Sequence, residues 1–126
     1  MLRSSRVLLA CAAPMGASGV IFAAMATHLQ GGGTLSTAAL FLLMHACAVL
    51  GMAALLPHVE GGRRALCVAG ALLVAGTFLF SGDLVLRQLA GMKLLWGTAP
   101  FGGGMMIVGW LAAAVPVLFD RRARAS

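Results

Sequence analysis

Long apolar stretches without charge alternate with short polar breaks along the whole chain. Residues 7–27, 35–56 and 94–119 carry no ionised side chain, and 65–86 is interrupted only by Asp83. Each stretch is close to the ~20 residues that cross a hydrocarbon core of ~30 Å. The pattern predicts four membrane-spanning helices, over about 6–28, 36–57, 65–87 and 100–119. They fill almost all of 1–126, so the expectation is one domain. With short loops between them, sequential helices pack antiparallel. The predicted fold is an all-α integral membrane protein, a compact antiparallel four-helix bundle.

Breaks and small residues refine that picture. Pro14 lies inside the first helix and frees a carbonyl that neighbours must satisfy. Gly31, Gly32 and Gly33 form a turn, after which Ser36 or Thr37 is placed to cap the second helix. Thr98 is placed as N-cap of the fourth, with Pro100 in its first turn. Trp96 suits the headgroup level of the preceding loop. Gly16, Gly19, Gly82, Gly102, Gly103 and Gly109 give thin helix faces, expected to sit at close helix contacts.

Charge sets the orientation. The formal net charge is +6, and its arginines flank the apolar runs: Arg3 and Arg6, Arg63 and Arg64, then Arg121, Arg122 and Arg124. Under the positive-inside rule these lie in the cytoplasm, leaving Arg87 and Lys93 outside. Both termini are then cytoplasmic. No DNA- or RNA-binding motif accompanies the charge, so no nucleic-acid partner is expected. Ala24-Met25-Ala26 resembles a signal cleavage site. The apolar segment before it exceeds a signal core, however, and its loss would put the basic loops on opposite sides. The segment is therefore read as a retained span.

Asp83 is the chemical anomaly. An ionisable group within a span costs roughly 2.5–3.5 kcal/mol on insertion scales. Arg87 follows four residues later, on the same helix face. His28 ends the first helix on the same side, His45 lies deeper in the second, and Thr98 comes from the adjoining loop. The expectation is an outer polar cluster of His28, His45, Asp83, Arg87 and Thr98. Two functions fit it. One is a polar latch in a structural or accessory protein; the other is a small proton- or ion-coupled transporter using Asp83 and His45. Haem is not expected, because His45 and His58 lie at opposite depths and His28 lies near the surface. Cys11, Cys47 and Cys67 have no metal-ligand spacing and read as small packing residues. Neither a metal, a cofactor nor a catalytic constellation is predicted. The expected partners are the lipid bilayer and, through the thin helix faces, a second copy or a larger membrane complex.

Several segments, in order, resemble one family. They are Ala23-Ala24-Met25-Ala26-Thr27-His28, Met44-His45-Ala46 with Leu50-Gly51, and Gly76-Thr77-Phe78-Leu79-Phe80-Ser81-Gly82. Thr98-Ala99-Pro100-Phe101-Gly102-Gly103 and Gly109-Trp110 complete the set. Together they resemble domain-of-unknown-function family 423, which includes small bacterial inner-membrane proteins and vertebrate transmembrane protein 256. The resemblance implies a four-helix membrane protein and brings no reaction, cofactor or substrate. Ala23 and Ala26 stand where the family usually has glycine. Asp83 stands where many members have serine, so the charged pair departs from the commonest form of the motif.

Overall fold

The computed structural model describes residues 1–119. Its elements are α1 (Arg3–His28), α2 (Gly33–Leu55), a 3-10 turn (Leu56–His58), α3 (Arg63–Ala90), α4 (Thr98–Ala113) and α5 (Val115–Phe119). Among the described residues there is no strand. Four helical segments are long and apolar enough to cross a membrane: Arg3–His28, Gly33–His58, Arg63–Ala90 and Thr98–Phe119. At 1.5 Å per residue, the 22 residues of the shortest rise about 33 Å. Arg121, Arg122 and Arg124, the arginines expected to flank the fourth span, lie outside the described residues.

The helices pack chiefly with their neighbours in sequence, α1 on α2, α2 on α3 and α3 on α4. Contact between α1 and α3 is slight. The inner members are α2 and α3, with 44% and 39% of their apolar windows buried; α1 and α4 flank them at 22% each. The core runs from Leu8 and Ala12 through Val49, Met52 and Leu56 to Leu66, Leu73 and Met106. Large apolar side chains also face outward all round, among them Val20, Ile21, Leu40, Phe101, Leu111 and Val117. An apolar surface of that extent suits lipid rather than water.

Several local expectations are corrected. α1 starts at Arg3 and α3 continues to Ala90, so both exceed the predicted limits. α2 begins at Gly33 without a side-chain cap, and Thr37 Oγ1 instead donates back to the Gly33 carbonyl, 3.0 Å away. Gly97, at φ +81°, occupies the N-cap of α4, while Thr98 Oγ1 donates to the Leu95 carbonyl at 3.1 Å. The fourth span breaks at Ala114. Pro116 lacks an N–H and its ring crowds the carbonyl four residues back. The backbone therefore closes short bonds instead, Ala114 N–H to Leu111 and Val117 N–H to Ala114.

Glycine carries the tightest contacts. A Cβ at Gly102 would meet the Gly76 carbonyl oxygen at 2.7 Å and the Phe80 nitrogen at 2.8 Å. Backbone thus touches backbone where α3 and α4 cross. Gly109 would meet Leu73 at 2.9 Å, and Gly19 would meet Leu43 at 2.7 Å across α1 and α2. Gly16 faces Ala46 at an ordinary 3.8 Å. Two predicted packing glycines do not serve that role. Gly103 has nothing within 4 Å, and Gly82 meets only Leu94 of the following loop, at 3.8 Å. Gly70 and Gly76 were not predicted and are close contacts, Gly70 against Leu8 at 2.8 Å. Cys47 is exposed rather than packed.

Candidate functional site

The C-terminal end of α3 carries the first polar site. Asp83 is completely buried, at 0% exposure. Its Oδ1 accepts the backbone N–H of Leu94 at 3.0 Å, and its Oδ2 lies 2.5 Å from Arg87 Nη2. The Arg87 contact is an ion pair without the angles of an aligned hydrogen bond. Helical (i, i+4) spacing brings the two charges together, and Arg87 remains partly exposed, so its head is not wholly withdrawn from solvent. The chain leaves α3 at Gly91, whose φ of +64° only glycine adopts cheaply. It returns over residues 91–97, and Leu94 thereby lies against the carboxylate. Thr98 is bonded to the same loop one residue on, at Leu95. Trp96 is fully exposed on that loop.

The second site lies deeper. His45 is 2% exposed, with Nδ1 2.8 Å from the Phe41 carbonyl and Nε2 3.3 Å from Trp110 Nε1. A carbonyl only accepts and an indole N–H only donates. Both contacts are therefore satisfied together by the neutral imidazole protonated at Nδ1. Phe41 stacks on the ring at 5.7 Å and also touches Phe80 at 4.6 Å, so α2, α3 and α4 meet here. Two further bonds lie between helices. Ser81 Oγ donates to the Ala38 carbonyl at 3.1 Å, and Thr77 Oγ1 to Met106 Sδ at 3.4 Å.

The predicted outer cluster is thus divided. Asp83 and Arg87 are joined directly, and Thr98 joins the same loop through Leu95. His45 belongs to the deeper aromatic site. His28 is exposed at the end of α1 and bonded to neither. A latch that included His28 would tie α1 to α3; Asp83 instead ties α3 to the loop that follows it. Sequence reading missed Leu94, Ser81, Thr77 and Trp110 as partners. Only Trp110 had a signal, an indole donor that needs an acceptor when it lies inside a bundle. Among the described residues, no three His, Cys, Asp or Glu side chains gather as metal ligands would.

Comparison with known proteins adds a family and no reaction. The family described as protein of unknown function (DUF423) matches residues 15–103. A UPF0382 membrane protein of Staphylococcus aureus is 38% identical over 63 residues, 48% of this chain and 52% of that protein. One from Staphylococcus epidermidis is 38% identical over 50 residues, 40% of this chain and 41% of that protein. The chain spans about half the length, or less, of these curated relatives. No solved structure matches.

Proposed function

The chain belongs to the family described as protein of unknown function (DUF423), and on that premise we propose that it is a structural or accessory membrane protein, not an enzyme. The observation carrying this reading is the state of Asp83. Its carboxylate is buried, paired with Arg87 and bonded to the Leu94 amide, so it acts as a latch that closes the 91–97 loop onto α3. A proton or ion carrier needs a carboxylate that can be reached and released. Here both oxygens are engaged by the chain's own groups. His45, the other residue a transporter would use, has both ring nitrogens engaged as well.

The accompanying proposals are an inner-membrane location with both termini in the cytoplasm, and assembly with a second copy or a larger membrane complex. Reporter fusions at each terminus test the orientation. The functional test is affinity purification of the tagged full-length protein from its native membrane, together with ion and proton flux in reconstituted vesicles. The expected result is co-purification of a stoichiometric membrane partner or an oligomer, with flux at empty-vesicle background. A pH-dependent flux abolished by Asp83→Asn would overturn the reading in favour of a coupled transporter.

A further inference from the structure

A groove lies between α1 and α3 at the end of the bundle where both helices begin. It is walled by Arg3, Ser4, Val7 and Leu8 on one side and by Cys67 and Ala71 on the other, around a volume of 270 Å³. The two walls share a gradient. On α1, Val7 stands one turn inward from Arg3; on α3, Cys67 and Ala71 stand one and two turns inward from Arg64. Spacings of three, four and seven residues keep each set on one helix face. Each wall is thus basic at its mouth and apolar below. Ala71 lies about 10 Å deeper than Arg64 at 1.5 Å per residue.

The mouth is positive for a second reason. A helix N-terminus leaves backbone N–H groups unpaired and carries the positive end of the dipole. Neither α1 nor α3 has a side-chain cap or an acid in its first turn. Arginines stand there instead, Arg3 and Arg6 on α1, Arg63 and Arg64 on α3. Arg63 is turned to its own helix entrance, donating to the Val59 carbonyl at 3.1 Å. Arg3 lines the groove itself, and Arg64 stands one turn before Cys67 on the same face of α3.

We propose that this groove holds an anionic phospholipid, one acyl chain lying along Val7, Leu8, Cys67 and Ala71 and the phosphate against Arg3 and Arg64. Basic pockets between spanning helices suit such headgroups. The alternatives match less of the groove. A free phosphate leaves the apolar trough uncovered, and a zwitterionic lipid brings its own cation to a positive mouth. A second copy approaching by the same end brings four more arginines. The site is independent of the Asp83 latch, which lies at the other end of α3.

The test uses full-length protein in neutral detergent, with bound lipid counted by native mass spectrometry. Phosphatidylglycerol and phosphatidylcholine of identical chains are titrated separately, and inorganic phosphate is the headgroup-only probe. Phosphatidylglycerol should bind about tenfold more tightly than phosphatidylcholine, or better, since each of the two basic residues near a lipid surface contributes about fivefold. Arg3→Gln with Arg64→Gln should reduce the preference to near parity. Ala71→Leu, at an exposed position, should lower occupancy by both lipids while leaving every charge in place. Circular dichroism checks that each variant is folded. Equal affinity for the two lipids overturns the proposal, as does a preference that survives the double substitution. So does full displacement by inorganic phosphate, or an Ala71→Leu change in self-association with bound lipid unaltered.

Discussion

Asp83 and Leu94 are eleven residues apart, and the carboxylate Oδ1 of one accepts the amide of the other at 3.0 Å. The bond turns a charge within the membrane-spanning segment into a clasp for the loop between α3 and α4. It also makes the two members of the ion pair unequal. Removing Arg87 leaves a wholly buried carboxylate without its cation, which costs about 3–5 kcal/mol. Removing the charge of Asp83 leaves a partly exposed guanidinium that can extend toward the headgroups. Arg87→Met should therefore destabilise far more than Asp83→Asn, whose amide oxygen still accepts from Leu94. Thermal unfolding in detergent checks the order, and equal losses would contradict it.

Exchanging the two charges should not rescue the clasp. A guanidinium at position 83 would enter a fully buried site and face the Leu94 N–H, donor against donor. Asp83→Arg with Arg87→Asp is expected to accumulate no better than Asp83→Ala, measured as folded protein per unit of membrane. Restoration by the exchange would mean that the pair acts through charge alone.

The His45–Trp110 bond gives a separate test at mid-bundle. Trp110→Phe keeps most of the ring packing and leaves the buried Nε2 without a donor, a loss of about 1–3 kcal/mol. His45→Phe removes the acceptor but strands a half-exposed indole that can turn toward lipid. A double-mutant cycle should return a coupling of roughly 0.5–1.5 kcal/mol. Additive single effects would show that the 3.3 Å contact contributes no stability of its own.

The sequence disclosed as much of this as its local rules reach. Four spans were legible because uncharged runs of membrane length leave few alternatives, and Asp83–Arg87 because (i, i+4) spacing needs only one helix. Leu94 was not legible, since a backbone amide has no side-chain signature and its position depends on how the 91–97 loop folds back. The His45–Trp110 bond depends on the rotation of α2 against α4, which no local pattern fixes. That is also why His45 was grouped with an outer cluster it does not join. Pro116 is the opposite case. A proline inside an apolar run announces a break, yet the apolar pattern continues past it and the expected helix ran to 119.

The glycine run of α4 gives the sharpest contrast, because three identical neighbours differ only in the direction they face. Gly102 abuts the backbone of α3, where an added methyl would lie 2.7 Å from the Gly76 oxygen and neither main chain can yield without moving the helices apart. Gly103 and Gly104 have nothing within 4 Å. Gly102→Ala should cost about 1–3 kcal/mol, as overpacking at rigid contacts does. Gly103→Ala should be neutral or stabilise by up to about 1 kcal/mol, because alanine restricts the unfolded chain and favours helix. The measurement is the midpoint of thermal unfolding for the two variants in the same detergent. Similar behaviour at positions 102 and 103 would place the α3–α4 contact on a different face of the helix.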